Sequence, residues 1–221
     1  RNLLADAHLK ASIHYQYHGK PAGMNKLIAL RLSEGTILRY DSLNAKAFLL
    51  CGRYYLLEEM WQQAEKFLST AYHLDPRLPE IFYDFSHLHS QRAKKLGYKN
   101  KEALLKQAIA LNPCYEQARL TLADHLYFNK WSKQAKGVIN DLLVVNPVSL
   151  EAWLFLGKVA IAERDIHQII AVYNRILDID PRNVEAHYNL GVFYFNNNDI
   201  DNAAGFFERA IVYGDHLEAH L

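Results

Sequence analysis

Histidine is the first residue type that suggests chemistry, because the 221-residue chain contains eleven of them. His14 and His18 are four residues apart, which on a helix places both imidazoles on one face, where they could hold a metal ion. The sequence places no third ligand beside them, so a partly exposed helix face is the favoured interpretation. His89 and His187 fall at packing positions, where we expect buried, uncharged side chains. We therefore predict no metal site.

Other patterns that could support catalysis are incomplete. Asp178, Asp180 and Asn183 are spaced like the start of a calcium loop, but the required glycine and the closing glutamate are absent. The sequence contains no phosphate-binding loop, dinucleotide fingerprint, nucleophile elbow or H-E-x-x-H motif. We predict a protein with no catalytic residues and no cofactor, and therefore not an enzyme.

Charge is concentrated in one stretch, QRAKKLGYKNK at 91–101, which carries Arg92, Lys94, Lys95, Lys99 and Lys101. It could dock an acidic partner or a phosphate, although a solvated insertion is the favoured interpretation. Over the whole chain, 25 Lys and Arg residues balance 24 Asp and Glu residues. This balance predicts neither nucleic acid nor an anionic membrane as partner, and no apolar run is long enough to insert into a membrane.

Two cysteines, Cys51 and Cys114, belong to no C-x-x-C pair and are too few for a disulfide framework. A reducing compartment such as the cytoplasm is slightly favoured. The chain begins at Arg1 rather than Met and has no visible signal peptide, so we expect it to be part of a longer protein.

Proline marks a repeated interruption of the apolar segments. The sequence reads LDP, LNP, VNP and IDP, with prolines at 76, 113, 147 and 181, so the spacings are 37, 34 and 34 residues. A helix cannot continue through proline, and the preceding residue is excluded from the helical region, whereas proline is tolerated at the start of the next helix. Each interruption therefore predicts a corner between two helices.

Between corners, the segments share one small residue at the same register: Gly52, Ser86, Ala123, Gly157 and Gly191. We expect it to let a second helix approach closely, through a bulky residue on that helix. These bulky residues are Leu68, Leu105, Ile139, Tyr173 and Phe207.

Two helices in 34 residues, with small residues near positions 8, 20 and 27 and proline near position 32, resemble the tetratricopeptide repeat. The clearest copy is NVEAHYNLGVFYFNNNDIDNAAGFFERAIVYGD at 183–215, and the resemblance covers about 45–215. It implies an all-α fold, a right-handed α-α superhelix or solenoid of such helix pairs.

The register divides the chain into an array. We expect a divergent N-terminal helix pair at 1–44, followed by repeats at 45–78, 79–115 (with a three-residue insertion), 116–149, 150–183 and 184–217, and the start of a truncated further helix at 218–221. Asp215 takes the place of the proline after the last repeat.

The family resemblance implies a concave groove lined by the first helix of each repeat. At its positions stand Leu56, Leu57, Glu80 and Gln117 and the thirteen residues that we predict to contact a partner: Lys46, Leu49, Arg53, Tyr83, His87, Leu120, Asp124, Tyr127, Leu154, Lys158, Tyr188, Val192 and Phe195. One large apolar residue per repeat, with charges of both signs between, favours a peptide segment or an amphipathic helix. The set lacks the asparagines of a carboxylate clamp or an asparagine ladder.

The resulting hypothesis is a non-catalytic protein–protein interaction scaffold. Two alternatives stay open: an accessory or assembly domain of a larger protein, membrane-anchored or a transferase, and a module that self-associates through its groove or its open repeat ends.

Overall fold

The computed structural model of the chain describes residues 43–88, 94 and 97–218. These residues form ten α-helices and no β-strand, which confirms the all-α prediction. The chain divides into two compact units, residues 1–118 and residues 119–221. No helix in the described ranges is long and apolar enough to cross a membrane.

The helices alternate along the chain, separated by short corners. Their bounds are α1 Ala45–Leu57, α2 Trp61–Leu74, α3 Pro79–Phe85, α4 Lys101–Leu111, α5 Glu116–Phe128, α6 Ser132–Val145, α7 Leu150–Glu163, α8 Ile166–Ile179, α9 Val184–Asn196 and α10 Ile200–Glu218. Consecutive helices pack as the pairs α1–α2 and α3–α4 in the first unit and α7–α8 and α9–α10 in the second.

The predicted proline corners are confirmed, because Pro76, Pro113, Pro147 and Pro181 each lie between two helices. At three of them, the residue before proline closes the corner with its side chain. In each case the Oδ1 atom accepts a hydrogen bond from the backbone N–H two residues later. The distances are 3.1 Å from Arg77 to Asp75, 3.0 Å from Cys114 to Asn112 and 3.1 Å from Arg182 to Asp180. An acidic or amide side chain can make this local bond, which explains why Asp or Asn occupies these sites.

A second kind of corner joins the first helix of a pair to the second. Its backbone reaches the left-handed region at a non-glycine residue: φ is 57° at Glu59, 68° at Lys130, 57° at Arg164 and 59° at Asn198. The last three of these residues are 34 positions apart. The repeat is thus visible in the backbone at positions where the residue types share little.

The close approach predicted at the small residues is confirmed in three pairs. A methyl group added to Gly52 would lie 2.6 Å from Cγ of Leu68, one added to Gly157 would lie 2.8 Å from Cζ of Tyr173, and one added to Gly191 would lie 2.7 Å from Cδ1 of Phe207. Any side chain larger than glycine would collide with the facing leucine, tyrosine or phenylalanine side chain, so glycine at these positions permits the close packing inside each pair.

Three of the first helices are held at their start by side-chain caps. Asn44, Ser149 and Asn183 each accept a hydrogen bond from the amide three residues later, at 3.0, 3.1 and 3.0 Å. Such a cap satisfies an N–H group that the helix cannot pair internally. The start of these helices is therefore defined by a capping side chain as well as by the corner that precedes it.

Several sequence predictions fall outside the described residues: residues 1–42 of the N-terminal pair with His14 and His18, most of the basic segment including Arg92 and Lys95, His89, and residues 219–221. At the other end, α10 runs without a break through Asp215 to Glu218, where the register predicted a corner. Asp215 lacks the ring of proline and keeps its amide N–H, so nothing forces the helix to end there.

Candidate functional site

A cavity of about 660 Å³ lies within residues 53–117 of the first unit. The last turns of α1, the first residue of α2, helix α3 with the turn that follows it, and the chain entering α5 surround it. Its lining consists of Arg53, Leu56, Leu57, Trp61, Glu80, Tyr83, Asp84, His87, Tyr115 and Gln117. A cavity of this size accommodates a large side chain or a short peptide segment.

A bidentate ion pair forms one wall of the cavity. Nε of Arg53 lies 3.1 and 3.0 Å from the two carboxylate oxygens of Asp84, and Nη2 lies 2.9 Å from Oδ2. The side chains are only 13% and 3% exposed, respectively. A planar guanidinium matches a carboxylate in this geometry, and the pair ties α1 to α3.

The Asp84 carboxyl titrates in an unusual range for an aspartate. Burial raises its pKa to about 6, and the Arg53 guanidinium, which favours the charged form, only partly offsets this. At pH 7 the group is therefore ionised and the pair carries no net charge.

Aromatic rings form a second wall. The Tyr83 ring lies 4.8 Å from the His87 ring and 5.4 Å from the Tyr115 ring, measured between centroids. Burial raises the pKa of the Tyr115 hydroxyl, with the Asp84 carboxylate adding to the effect, so the phenol stays neutral. Trp61 contributes a further ring, and Leu56 and Leu57 complete the apolar lining.

Two further lining residues, Glu80 and His87, carry polar groups that are not part of the ion pair. Oε2 of Glu80 is buried and has no hydrogen-bond partner among the described residues. His87 is exposed as a residue, but desolvation of its ring lowers its pKa, and the charges of Lys101 and Arg53 lower it further. The imidazole is thus neutral at pH 7. Within the described ranges, no three His, Cys, Asp or Glu side chains converge on a point that could hold a metal ion.

The structure brings together three of the residues predicted to contact a partner, since Arg53, Tyr83 and His87 line this cavity. The other ten lie elsewhere. Among them, the exposed residues are Asp124, Lys158, Tyr188, Phe195 and Lys46, and the half-buried residues are Leu120, Tyr127, Leu154 and Val192. The Tyr127 ring packs on buried Phe155 at 5.9 Å.

Leu49 requires a correction, because it is 5% exposed and belongs to the core of the first unit. Helix α1 packs against α2 and also contacts α3, and it buries all of 47–52 except Phe48, which is half-buried. A side chain enclosed on these sides cannot present itself to a partner. The prediction of a groove contact at Leu49 was wrong.

Asp84, Trp61 and Tyr115 line the cavity but are not among the contact residues that the sequence predicts. Asp84 stands in the run IFYDF between aromatic residues, and a charge in so apolar a helix segment is a signal for a buried partner. Trp61 and Tyr115 lie at helix starts, outside the groove positions of the repeat. Only the fold brings them to the cavity.

The second unit has a groove of about 600 Å³ between α9 and α10. It is lined by Val184, Glu185, Tyr188, Phe207, Ala210 and Ile211, of which Glu185 alone is charged. Tyr188 and Ile211 are exposed, and the Tyr188 ring lies 5.9 Å from that of Phe207. Tyr188, predicted as a contact in the concave groove, is thus part of an exposed apolar surface between the two helices of one pair.

Family models of the tetratricopeptide repeat match the second unit twice, over residues 150–183 and over residues 172–205. No curated protein is significantly similar to the chain in sequence. The matched residues include α7, α8 and α9 and begin at the boundary that the proline register predicts for the fourth repeat.

Solved structures of tetratricopeptide repeat proteins share the fold over most of the chain. PilW, a type IV pilus biogenesis factor, has a TM-score of 0.68 at 14% identity, over 93% of this chain and 91% of its own. PilF of Pseudomonas aeruginosa has a TM-score of 0.67 at 16% identity, over 100% and 99%. YrrB, a repeat protein with an unusual peptide-binding site, has a TM-score of 0.56 at 18% identity, over 83% and 93%. These likenesses confirm the solenoid fold.

Proposed function

Because this chain is a tetratricopeptide repeat protein, we propose that it is a non-catalytic scaffold that binds a peptide segment of a partner protein. The binding site is the cavity that Leu57, Tyr83, His87 and their neighbours line in the first unit. The partner inserts a side chain between the aromatic wall and the Arg53–Asp84 pair.

The observation that carries this proposal is the composition of the cavity wall. Aromatic rings, two leucines and a few fixed polar groups surround a space of about 660 Å³. Such walls bury apolar surface of a ligand and orient it through a small number of polar contacts. Tyrosine, tryptophan and arginine are also the residue types that most often anchor protein ligands.

A preformed wall favours peptide binding for a second reason. The Arg53–Asp84 contacts and the Gly52–Leu68 approach hold α1, α2 and α3 in place before a ligand arrives. Less ordering is then needed on binding, which leaves more of the contact energy for affinity. The peptide-binding site of YrrB, which has the same fold, is consistent with such a role.

The experiment is a selection of peptides from a random library displayed on phage, followed by affinity measurement on Leu57→Ser. Leu57 is 51% exposed and ends α1, so a serine there removes apolar surface from the cavity wall without adding a charge or entering the core. We expect the dissociation constant of a selected peptide to rise about tenfold, because an apolar contact is lost.

Val145→Ser is the matched control. Val145 is 45% exposed and ends α6, so it reproduces the change from an apolar residue to serine at the last residue of a helix outside the cavity. We expect unchanged affinity for this variant and unchanged helicity for both. A library without binders, or a selected peptide whose affinity Leu57→Ser leaves unchanged, would contradict the proposal.

A second copy of this chain is a further candidate partner, favoured by the apolar groove between α9 and α10. Tyr188 and Ile211 expose apolar surface in this groove, and exposed apolar patches commonly mark association surfaces. The scaffold would then assemble through the second unit and bind peptide through the first.

Light scattering over a range of concentrations tests this assembly. We expect a mass that rises with concentration in the wild type and stays monomeric in Ile211→Asp, which places a charge in the groove. Val212→Asp is the control, because Val212 is exposed on the next residue but does not line the groove. A strict monomer at high concentration, or equal effects of both variants, would contradict self-association through this groove.

A further inference from the structure

We infer that the cavity of the first unit recognises a positively charged side chain, arginine or lysine, of the partner polypeptide. This inference rests on the proposed peptide-binding function and specifies the chemistry of the residue that enters. It follows from the charges, the unpaired oxygen and the rings of the cavity wall.

The charged lining residues leave a net negative charge in the cavity. Arg53 and Asp84 neutralise each other through three short contacts, at 3.1, 3.0 and 2.9 Å. His87 is uncharged. The carboxylate of Glu80 is then the charge that the lining residues do not compensate.

The Glu80 carboxylate has unused hydrogen-bonding capacity. Its Oε2 is buried, and no described group donates to it. A buried acceptor without a donor is costly, and native structures rarely keep one unless water or a ligand satisfies it. A guanidinium or ammonium group supplies both the N–H donor and the opposite charge.

The aromatic residues suit the same ligand. Trp61, Tyr83 and Tyr115 contribute rings to the cavity wall, and cations are attracted to the negative face of an aromatic ring. Leu56 and Leu57 can pack against the aliphatic stem that carries the charge of arginine or lysine. An acidic side chain would instead add a second negative charge beside the Glu80 carboxylate.

The experiment uses fluorescein-labelled peptide pools whose central residue is fixed as arginine, lysine, glutamate or leucine, with random flanking residues. Fluorescence anisotropy is measured with the wild type, Glu80→Gln and Glu151→Gln. Glu151 is the matched control, because it is likewise an acidic residue at the second position of a helix and lies outside the cavity.

We expect the arginine and lysine pools to bind most tightly to the wild type. In Glu80→Gln their affinity falls about tenfold or more, since a charge-assisted hydrogen bond is lost, while Glu151→Gln leaves it unchanged. Circular dichroism checks that each variant retains its fold. The preference of the wild type among the four peptide pools needs no variant, so it tests the cation site even if a substitution disturbs folding.

The outcomes separate the two proposals. Binding of the leucine or glutamate pools as tight as that of the cationic pools, or an arginine preference that Glu80→Gln leaves unchanged, overturns the cation site while peptide binding stands. Absence of binding by every pool contradicts the peptide-binding function itself, and the cation site with it.

Discussion

The guanidinium of Arg53 on α1 meets the carboxylate of Asp84 on α3, with Nε within 3.1 Å of both oxygens. The two residues are 31 positions apart and stand in adjacent predicted repeats. Their contact fixes the wall of the cavity and thereby couples the stability of the first unit to the geometry of the candidate site.

Removing Arg53 should cost far more than a surface substitution. Arg53→Met leaves the Asp84 carboxyl buried without its partner, and breaking a buried pair in this way costs about 3 kcal/mol of the free energy of unfolding. The measurement is urea unfolding followed by circular dichroism. The double variant Arg53→Met/Asp84→Leu should recover most of the loss, since an apolar pair needs no charge partner. Equal losses in the single and double variants would contradict this account.

The stability of the chain should depend on pH through Asp84. Its pKa is about 6 in the folded state and near 3.8 when unfolded, so the folded state binds the proton more tightly. Proton binding by Asp84 therefore adds to the free energy of unfolding in full below pH 4, and this stabilisation is lost as the pH rises to about 6. Over this range the free energy of unfolding falls by at most about 1.4 kcal/mol per pH unit.

The check compares wild type with Asp84→Asn, which mimics the protonated group at every pH. We expect the free energy of unfolding of the wild type, relative to this variant, to fall between pH 4 and pH 6. Asp75 and Glu163, whose pKa values are lowered by hydrogen bonds, contribute the opposite trend in both proteins and cancel. A relative stability that rises over this range would show that the ion pair outweighs burial.

Two glycines in the α9–α10 pair should respond oppositely to alanine. Gly191→Ala places a methyl group 2.7 Å from the Phe207 ring, and overpacking of this kind costs about 1–3 kcal/mol. Gly205→Ala meets no atom within 4 Å and should stabilise by about 0.5–1 kcal/mol through helix propensity. Thermal unfolding of both variants measures this, and equal effects would contradict the close packing at Gly191.

The left-handed corner at Arg164 should tolerate glycine better than arginine. Arg164 has φ 57° and ψ 34°, which lies in the left-handed region. A residue with a Cβ atom is strained there, whereas glycine adopts this conformation without strain. Arg164→Gly should raise the free energy of unfolding by about 0.5–1 kcal/mol. Asn198→Gly, at the equivalent corner with φ 59°, should gain less, because asparagine adopts this region more readily. A loss at Arg164 would contradict the strain argument.

The helix corners and the close pairs were predictable because local rules determine them. Proline interrupts a helix wherever it stands, and a glycine opposite a bulky residue at fixed spacing has one simple explanation. Pro181 and the pair Gly191–Phe207 could therefore be identified from spacing alone. The end of α10 could not, since Asp215 only occupies the register of a proline without its ring.

The candidate site was only partly predictable. Position within the repeat identified Arg53, Tyr83 and His87, but it could not show that Leu49 is enclosed by neighbouring helices. Position within the repeat also could not predict the contact between Arg53 and Asp84, because that contact depends on how α1 and α3 pack. The cavity is a property of tertiary packing, and repeat positions report only the face of each helix.

The indole N–H signals of the three tryptophans test the central claim most directly. Trp61 lines the cavity and is 37% exposed, whereas Trp131 is 48% exposed and lies in the second unit, so one nitrogen-15 NMR spectrum contains both site and control. On addition of a selected peptide, we expect the Trp61 signal to shift and the Trp131 signal to stay. A bound peptide that shifts only Trp131 or Trp153, or none of the three, would contradict recognition in this cavity.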